Sequence, residues 1–153
     1  MGVKIRNKSR IPKVRRSLRE LNTLAVEVGI LGEAGSHYTM LARVHEFGVT
    51  IRQGSGEIVI PERSFIRSAF DENETKWIKF ATKRIVKVIN GQMTARELYE
   101  LLGTRMVADI QQKIKDLDTP TLAQATIDAK GSSNPLIDTG GLRMRVTYRV
   151  VSK

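Results

Sequence analysis

The sequence lacks cysteine altogether and has few histidine or aromatic residues. None of its 153 residues is Cys, only two are His, and 5% are aromatic. The absence of thiols excludes a disulfide scaffold, a thiolate metal site and a cysteine nucleophile. Two histidines are too few for a multi-histidine metal centre. The scarcity of aromatic rings argues against a platform on which single-stranded nucleic-acid bases would stack.

Long apolar runs are also missing. No stretch approaches the ~20 apolar residues of a membrane span, and the first residues contain no apolar segment typical of a secretory signal. We therefore expect no membrane partner. With 41% hydrophobic and 27% charged residues, the chain has the composition of a globular protein. Its length favours one domain, which we place at residues 11–153, after a basic arm over residues 1–10 that we expect to be flexible.

Positive charge is abundant and lies mostly at the two ends of the chain. The formal net charge is +10, and only one acidic residue, Glu20, falls within residues 1–20. Such ends can contact a polyanion through charge alone, dock on an acidic protein, or remain solvated. The C-terminal arginines have a further interpretation, in which they protect an exposed sheet face against aggregation. The candidate contacts with a polyanion or an acidic partner are Arg10, Lys13, Arg15, Arg16, Arg19, Arg143, Arg145 and Arg149.

Hydrophobic periodicity predicts helices in the first half of the chain and again in its middle. A helix opens at Ser9 or Ile11, and its apolar stripe is expected to pack on the body while its arginines face outward. A second helix runs from Ser36, its predicted cap, to Phe47. The predicted apolar residues of these two helices are Ile11, Val14, Leu18 and Leu21, and then Met40, Leu41, Val44 and Phe47.

Further helices follow in the middle of the chain. A short helix over Ser64–Phe70 is expected to precede a longer one that ends at Ile89. Another long helix begins at Thr94, where Thr-Ala-Arg-Glu fits a capping box. Residues 121–129 are a candidate for one more short helix.

Alternating apolar residues predict four strands. They are Leu24–Leu31, the hairpin partners Val49–Ile51 and Glu57–Ile60, and Met144–Val150. Grouped rather than alternating helices and strands indicate an α+β protein. We predict one small domain with an antiparallel or mixed sheet, long helices packed on one face of that sheet, and a projecting β-hairpin.

Residues that could carry out catalysis are few and scattered. His37 and His45 would lie on one side of a helix beside Glu46, but a metal or acid–base site needs a further convergent group. The turn at 138–141 lacks the glycine–lysine spacing of a phosphate-binding loop and the acidic series of an EF-hand. We therefore predict a protein that is not an enzyme, without a cofactor or a metal site. A small nuclease using His37, His45 and Glu46 is the weaker alternative.

Three sequence blocks carry a resemblance to a known family. They are His45–Gly48, Ile60–Arg67 and Pro135–Arg143, the last followed by a strand that contains Thr147 and Tyr148. In this order and spacing they resemble the head–tail joining and tail-completion proteins of tailed bacteriophages and prophages, including the Mu-like virion-morphogenesis family. The resemblance extends over about residues 24–150, and Thr126–Gly131 is also similar to the family.

The resemblance implies a structural α+β subunit without catalytic residues. Members assemble into a ring, commonly a hexamer, at the neck between capsid and tail, within virions that are built in the bacterial cytoplasm. The implied partners are further copies of the chain, tail-tube subunits and neck or connector proteins, with possible non-specific contact with genome DNA in the lumen. The alternative function is a non-specific DNA-binding protein that acts through its basic ends.

Ring subunits bind their neighbours through two different patches, and flexible segments that become ordered on assembly suit such contacts. Two glycine- and serine-rich segments have this character. The candidate interface residues are therefore Arg52, Gln53, Gly54, Ser55, Gly56, Lys130, Gly131, Ser132, Ser133 and Asn134.

Overall fold

A computed structural model describes residues 9–54, 56–121, 128, 136 and 140–153. The elements are α1 (Ile11–Thr23), β1 (Leu24–Ile30), a 3-10 turn (Gly32–Ala34), α2 (Ser36–Phe47), β2 (Val49–Gln53), β3 (Gly56–Ile60), α3 (Ile66–Ile89), α4 (Ala95–Asp116), α5 (Gly141–Met144) and β4 (Val146–Ser152). The prediction of a small α+β domain with a β-hairpin is confirmed.

The sheets are two separate antiparallel pairs. Strands β1 and β4 pair from Leu24 with Ser152 to Ile30 with Val146, and α4 packs against both. Strands β2 and β3 form the hairpin on their own. The described residues therefore form one sheet built into the body and a second sheet that stands apart from it.

The core lies where α4 meets α3 and the β1–β4 sheet. Ile110 and Ile114 of α4 are fully buried there with Phe65, which lies just before α3. A second buried cluster, around Val88 and Leu98, receives Leu21 of α1. Helices α3 and α4 therefore form the centre of the body, and α1 packs on their shared end.

Helix α4 begins at the predicted capping box. Thr94 Oγ1 accepts a hydrogen bond from the Glu97 amide at 3.1 Å, and the Glu97 carboxylate accepts one from the Thr94 amide at 2.7 Å. Two amides that a helix start leaves without a partner are satisfied in this way.

Other element boundaries differ from the predictions. Helix α3 is continuous from Ile66, so no separate short helix precedes it. The last strand begins at Val146, because Gly141–Met144 forms a helical turn whose cap, Gly140, has the left-handed conformation. Ser36 is the first residue of α2 rather than its cap, and Gly35 occupies the cap position with φ of +90°.

The predicted apolar faces of α1 and α2 are only partly buried. In α1, Ile11 and Leu18 are exposed, and Ser17 is buried, since its hydroxyl donates to the Val88 carbonyl at 3.2 Å. In α2, Met40 and Phe47 are exposed, while the buried residues are Ala42 and Glu46. Both helices therefore sit on the body rotated away from the face that hydrophobicity predicts, because a hydrogen-bonding side chain takes the buried position.

Among the helices that the structure describes, none combines the length and the apolar content of a membrane span. Most of the predicted helix over 121–129, the candidate interface residues 130–134 and residues 138–139 of the turn lie outside the described residues.

Candidate assembly site at the base of the hairpin

The side chain of Glu46 caps helix α3 from another part of the chain. Its carboxylate accepts hydrogen bonds from the backbone amides of Phe65, Ile66 and Arg67 at 2.9–3.0 Å, and from the Ser64 hydroxyl at 2.8 Å. We call this arrangement of Glu46 with Ser64–Arg67 the Glu46 cap. The first amides of a helix carry a partial positive charge, so an anion there satisfies both their hydrogen bonds and the helix dipole.

The Glu46 carboxylate stays ionised although it is buried, with 5% of the residue exposed. Burial alone would raise the pKa of Glu46, but the hydrogen bonds from Arg67, Ile66, Ser64 and Phe65 outweigh burial and hold that pKa below its ordinary value of 4.5. Both oxygens of the Glu46 carboxylate therefore act as structural hydrogen-bond acceptors.

Arg67 adds a second layer to the Glu46 cap. Its guanidinium donates to the Glu46 carboxylate at 3.2 Å, to the Glu46 carbonyl at 2.6 Å and to the Glu62 carboxylate at 2.7 Å. The same guanidinium lies 4.9 Å from the centre of the Phe47 ring. One arginine thus joins the end of α2, the end of the hairpin and the start of α3.

Arg63 connects the same region to the segment after α4. Only 4% of the residue is exposed, and its guanidinium donates to the carbonyls of Pro120 and Thr121 at 2.8 and 3.3 Å. Its backbone amide donates to the His45 carbonyl at 2.7 Å. The chain leaving the hairpin is therefore held to α2 through its backbone, and to the segment after α4 through the Arg63 side chain.

Gly48 lets the chain turn from α2 into β2 within one residue. Its φ is +67°, and a Cβ atom there would lie 2.9 Å from the Glu62 nitrogen and 3.0 Å from the Ile60 carbonyl oxygen. Both strands of the hairpin consequently meet at one crowded point next to the Glu46 cap, which fixes the direction in which the hairpin leaves the body.

The hairpin itself carries an apolar face that the described part of the chain does not cover. Val49 pairs with Ile60 and Ile51 with Ile58, and cross-strand partners lie on the same side of a sheet. The exposed fractions of Ile51 and Ile58 are 46% and 50%. We call these four residues the hairpin apolar face.

A groove between α2 and the start of β2 continues this surface onto the body. It has a volume of about 450 Å³, and Val49 is part of its wall. Two exposed apolar side chains of α2, Met40 and Phe47, line it as well. The other lining residues include Arg43 and Val44.

The structure places the predicted interface residues at the hairpin end. Arg52 and Gln53 end β2, Gly54 turns with φ of +60°, and Gly56 begins β3. Ser55 and residues 130–134 lie outside the described residues. The sequence predicted both strands of the hairpin but led us to place the candidate interface at the tip, and it did not reveal that Val49, Ile51, Ile58 and Ile60 form one exposed side of the hairpin.

The arginines near the C-terminus do not form a single row. Arg149 on β4 pairs with Glu27 at 2.7 Å and Glu33 at 3.1 Å, Arg145 lies over the Tyr38 ring at 4.9 Å, and Arg143 belongs to α5. Because β4 begins only after Arg145, Arg149 is the one of these three arginines that lies on a described strand.

Two members of the histidine cluster considered from the sequence point to different surroundings. Glu46 faces the amides of α3, and His37 is exposed with its ring against Tyr38. Within the described ranges, no group of three or more His, Cys, Asp or Glu side chains could hold a metal ion.

Comparison with protein families, with curated proteins and with solved structures finds no match for this chain. What the chain does must therefore be argued from its own residues and from the surfaces that they form.

Proposed function

We propose that this chain is a structural subunit that associates with copies of itself through its hairpin, in the head–tail joining or tail-completion apparatus of a bacteriophage or prophage. The observation that carries the proposal is a hairpin fixed firmly at its base and apolar on a face that the described residues leave open. The three sequence blocks that resemble such proteins supply the biological setting.

The base of the hairpin supports an assembly role because its contacts fix the direction in which the hairpin leaves the body. Glu46, Arg63 and Arg67 make charge-assisted or buried hydrogen bonds there, which are among the stronger polar contacts in proteins. Two of the three blocks, His45–Gly48 and Ile60–Arg67, meet at this point. These two blocks thus coincide with the contacts that orient the hairpin rather than with a catalytic group.

The hairpin apolar face supports an assembly role because exposed contiguous apolar surface typically marks a contact site. An isolated two-stranded hairpin is also at best marginally stable in water, so packing against another surface would stabilise it. A second copy is the proposed occupant, since a subunit whose hairpin fits a different patch on the next copy can close into a ring.

The test replaces two apolar side chains of the hairpin without changing net charge. In Ile51→Lys combined with Ile58→Glu, the new charges lie opposite each other across the strands, so the hairpin keeps a favourable pair. The matched control is Ile78→Lys with Val86→Glu on α3, where the two apolar side chains are similarly exposed. Light scattering and electron microscopy of each purified protein over a range of concentrations report its assembly state.

We expect rings for the unaltered protein and for the α3 control, and monomers for the hairpin variant. A wild-type protein that remains monomeric at every concentration, or a hairpin variant that assembles normally, contradicts self-association through the hairpin. Mixing with the tail-tube subunit of the same phage or prophage tests the setting separately, because rings that never bind tail or connector components would contradict the role in the neck.

A further inference from the structure

We propose that the outward side of α1, formed by Arg15, Arg16 and Arg19, is a binding surface for the phosphate backbone of double-stranded nucleic acid. We call these three residues the α1 basic face. The proposal does not depend on the role of the hairpin, since it concerns a different element and a different ligand.

The α1 basic face is presented by a helix that is fixed to the body. Ser17 donates to the Val88 carbonyl at 3.2 Å, and the Tyr99 hydroxyl donates to the Leu21 carbonyl at 2.8 Å. Arg15 and Arg19 each lie two residues from Ser17, about 200° around the helix, and so on its opposite side. The arginines are therefore held at the surface by a helix whose other side is engaged.

These arginines carry charge that no salt bridge within the described residues neutralises. All three are exposed. Arg149, in contrast, is shared between Glu27 and Glu33. The acids beside α1 are Glu20, on the helix itself, and Glu97, whose carboxylate is already bonded to the Thr94 amide.

The composition of the α1 basic face favours a phosphate backbone over a protein or a membrane. A protein interface usually has an apolar or aromatic centre, whereas Arg15 and Arg19 occupy the middle of the side of α1 that lies opposite Ser17. A membrane-surface helix inserts a continuous apolar face, but Leu21 of α1 packs in the core, and only Ile11 and Leu18 of its apolar stripe are exposed. Arginine forks match phosphate oxygens in pairs, and binding to the backbone requires no base-reading side chain.

The test measures binding of the full chain to a short duplex DNA of mixed sequence at about 50 mM and about 200 mM salt. The variant is Arg15→Gln, Arg16→Gln, Arg19→Gln, which keeps side chains of similar helix propensity. The control is Lys79→Gln, Lys83→Gln, Lys87→Gln, which removes the same charge from exposed positions of α3. A third variant with lysine at the three α1 positions keeps the charge.

We expect the α1 glutamine variant to bind duplex DNA at least about thirtyfold more weakly at the lower salt, with a salt dependence reduced by roughly two to three phosphate contacts. The α3 control should lose much less affinity, and the lysine variant should keep the salt dependence of the unaltered protein. Circular dichroism verifies that α1 remains folded in all variants.

Three results would overturn the proposal. One is a protein that does not bind duplex DNA at low salt, and another is an equal loss of affinity in the α3 control. The third is binding to polyglutamate or to vesicles of anionic lipid that is as tight as binding to DNA at the same salt, since the surface would then attract any acidic partner.

Discussion

The Glu46 side chain is at once the cap of α3, a link between α2 and α3, and an ion-pair partner of Arg67. It stands near the end of α2, yet it accepts hydrogen bonds from the first amides of α3 across the whole hairpin. A carboxylate is unfavourable near the carbonyl end of its own helix and favourable at the amide end of the next one. Electrostatics thus favours the observed direction of this side chain as well as the contacts that it makes.

Replacing Glu46 with glutamine should destabilise the protein by about 2–3 kcal/mol, because the amide group loses acceptors and places a donor against backbone amides. Denaturant unfolding at neutral pH measures the change in the free energy of unfolding. The control Glu57→Gln, at an exposed position on β3, should change it by less than about 0.5 kcal/mol. Equal effects at the two positions would show that the Glu46 cap contributes nothing special.

Acid should remove the same contribution. Folding lowers the pKa of Glu46, so its stabilisation is complete above the ordinary value of 4.5 and disappears as the pH falls through the still lower folded pKa. The difference in unfolding free energy between the unaltered protein and Glu46→Gln should therefore shrink between neutral pH and about pH 3. Unfolding curves recorded across that range check the sign, and a difference that grows in acid would contradict it.

Gly48 should tolerate a side chain less well than Gly54, because it combines a crowded site with φ of +67° and ψ of 169°, a conformation that essentially only glycine adopts. Both have positive φ, +67° and +60°, but a Cβ atom clashes only at Gly48, next to Glu62. Gly54→Ala should cost about 1 kcal/mol for the backbone conformation, and Gly48→Ala at least about 1–2 kcal/mol more. Thermal unfolding of the two variants compares them, and similar melting temperatures would show that the base of the hairpin is looser than its geometry indicates.

At the scale of elements, the sequence predicted the helix whose cap is local and misjudged the helix whose cap is distant. Thr94 and Glu97 are three residues apart, so the start of α4 could be inferred. The cap of α3 comes from Glu46, twenty residues before Ile66, and no local pattern reveals it. The start of β4 was misplaced for a related reason, since Gly140 permits a helical turn that the alternation of apolar residues conceals.

Helix α4 and strand β4 are in close contact at Gly103. A Cβ atom there would lie 2.3 Å from a ring carbon of Tyr148. Gly103→Ala should therefore destabilise the protein by about 1–3 kcal/mol, although alanine is the better helix former by about 1 kcal/mol. In the background Tyr148→Ala the same substitution should become neutral or stabilising. Denaturant unfolding of the four proteins gives the coupling, and independent effects would rule out the contact.

At the scale of the whole molecule, the two proposed surfaces should respond to salt in opposite ways. Copies with a net charge of +10 repel one another, so screening should strengthen association through an apolar hairpin face. The same screening should weaken binding of the α1 basic face to DNA. Sedimentation at low and high salt measures the first effect, and association that weakens as salt rises would indicate an interface made of ion pairs instead.

The candidate site was less accessible to sequence reasoning than the fold was. The fold class follows from hydrophobic periodicity, which is present along most of the chain. The site depends on two features that periodicity does not reveal, a buried acid in α2 and apolar strand residues that the described core leaves exposed. Features of this kind become visible only when burial is known, so the sequence pointed to Arg63 and Arg67 only as part of a resemblance and not as anchors.

The convergence at the root of the hairpin has a mechanical consequence. Arg67 is hydrogen-bonded to α2 and to Glu62, and Arg63 is hydrogen-bonded to the carbonyls of Pro120 and Thr121. A force applied to the hairpin is therefore transmitted directly to α3 and to the segment after α4. A neighbouring subunit that binds the tip of the hairpin would therefore move the body together with the hairpin, because these hydrogen bonds connect the two directly. Under tension, the first part to yield should be the strands themselves.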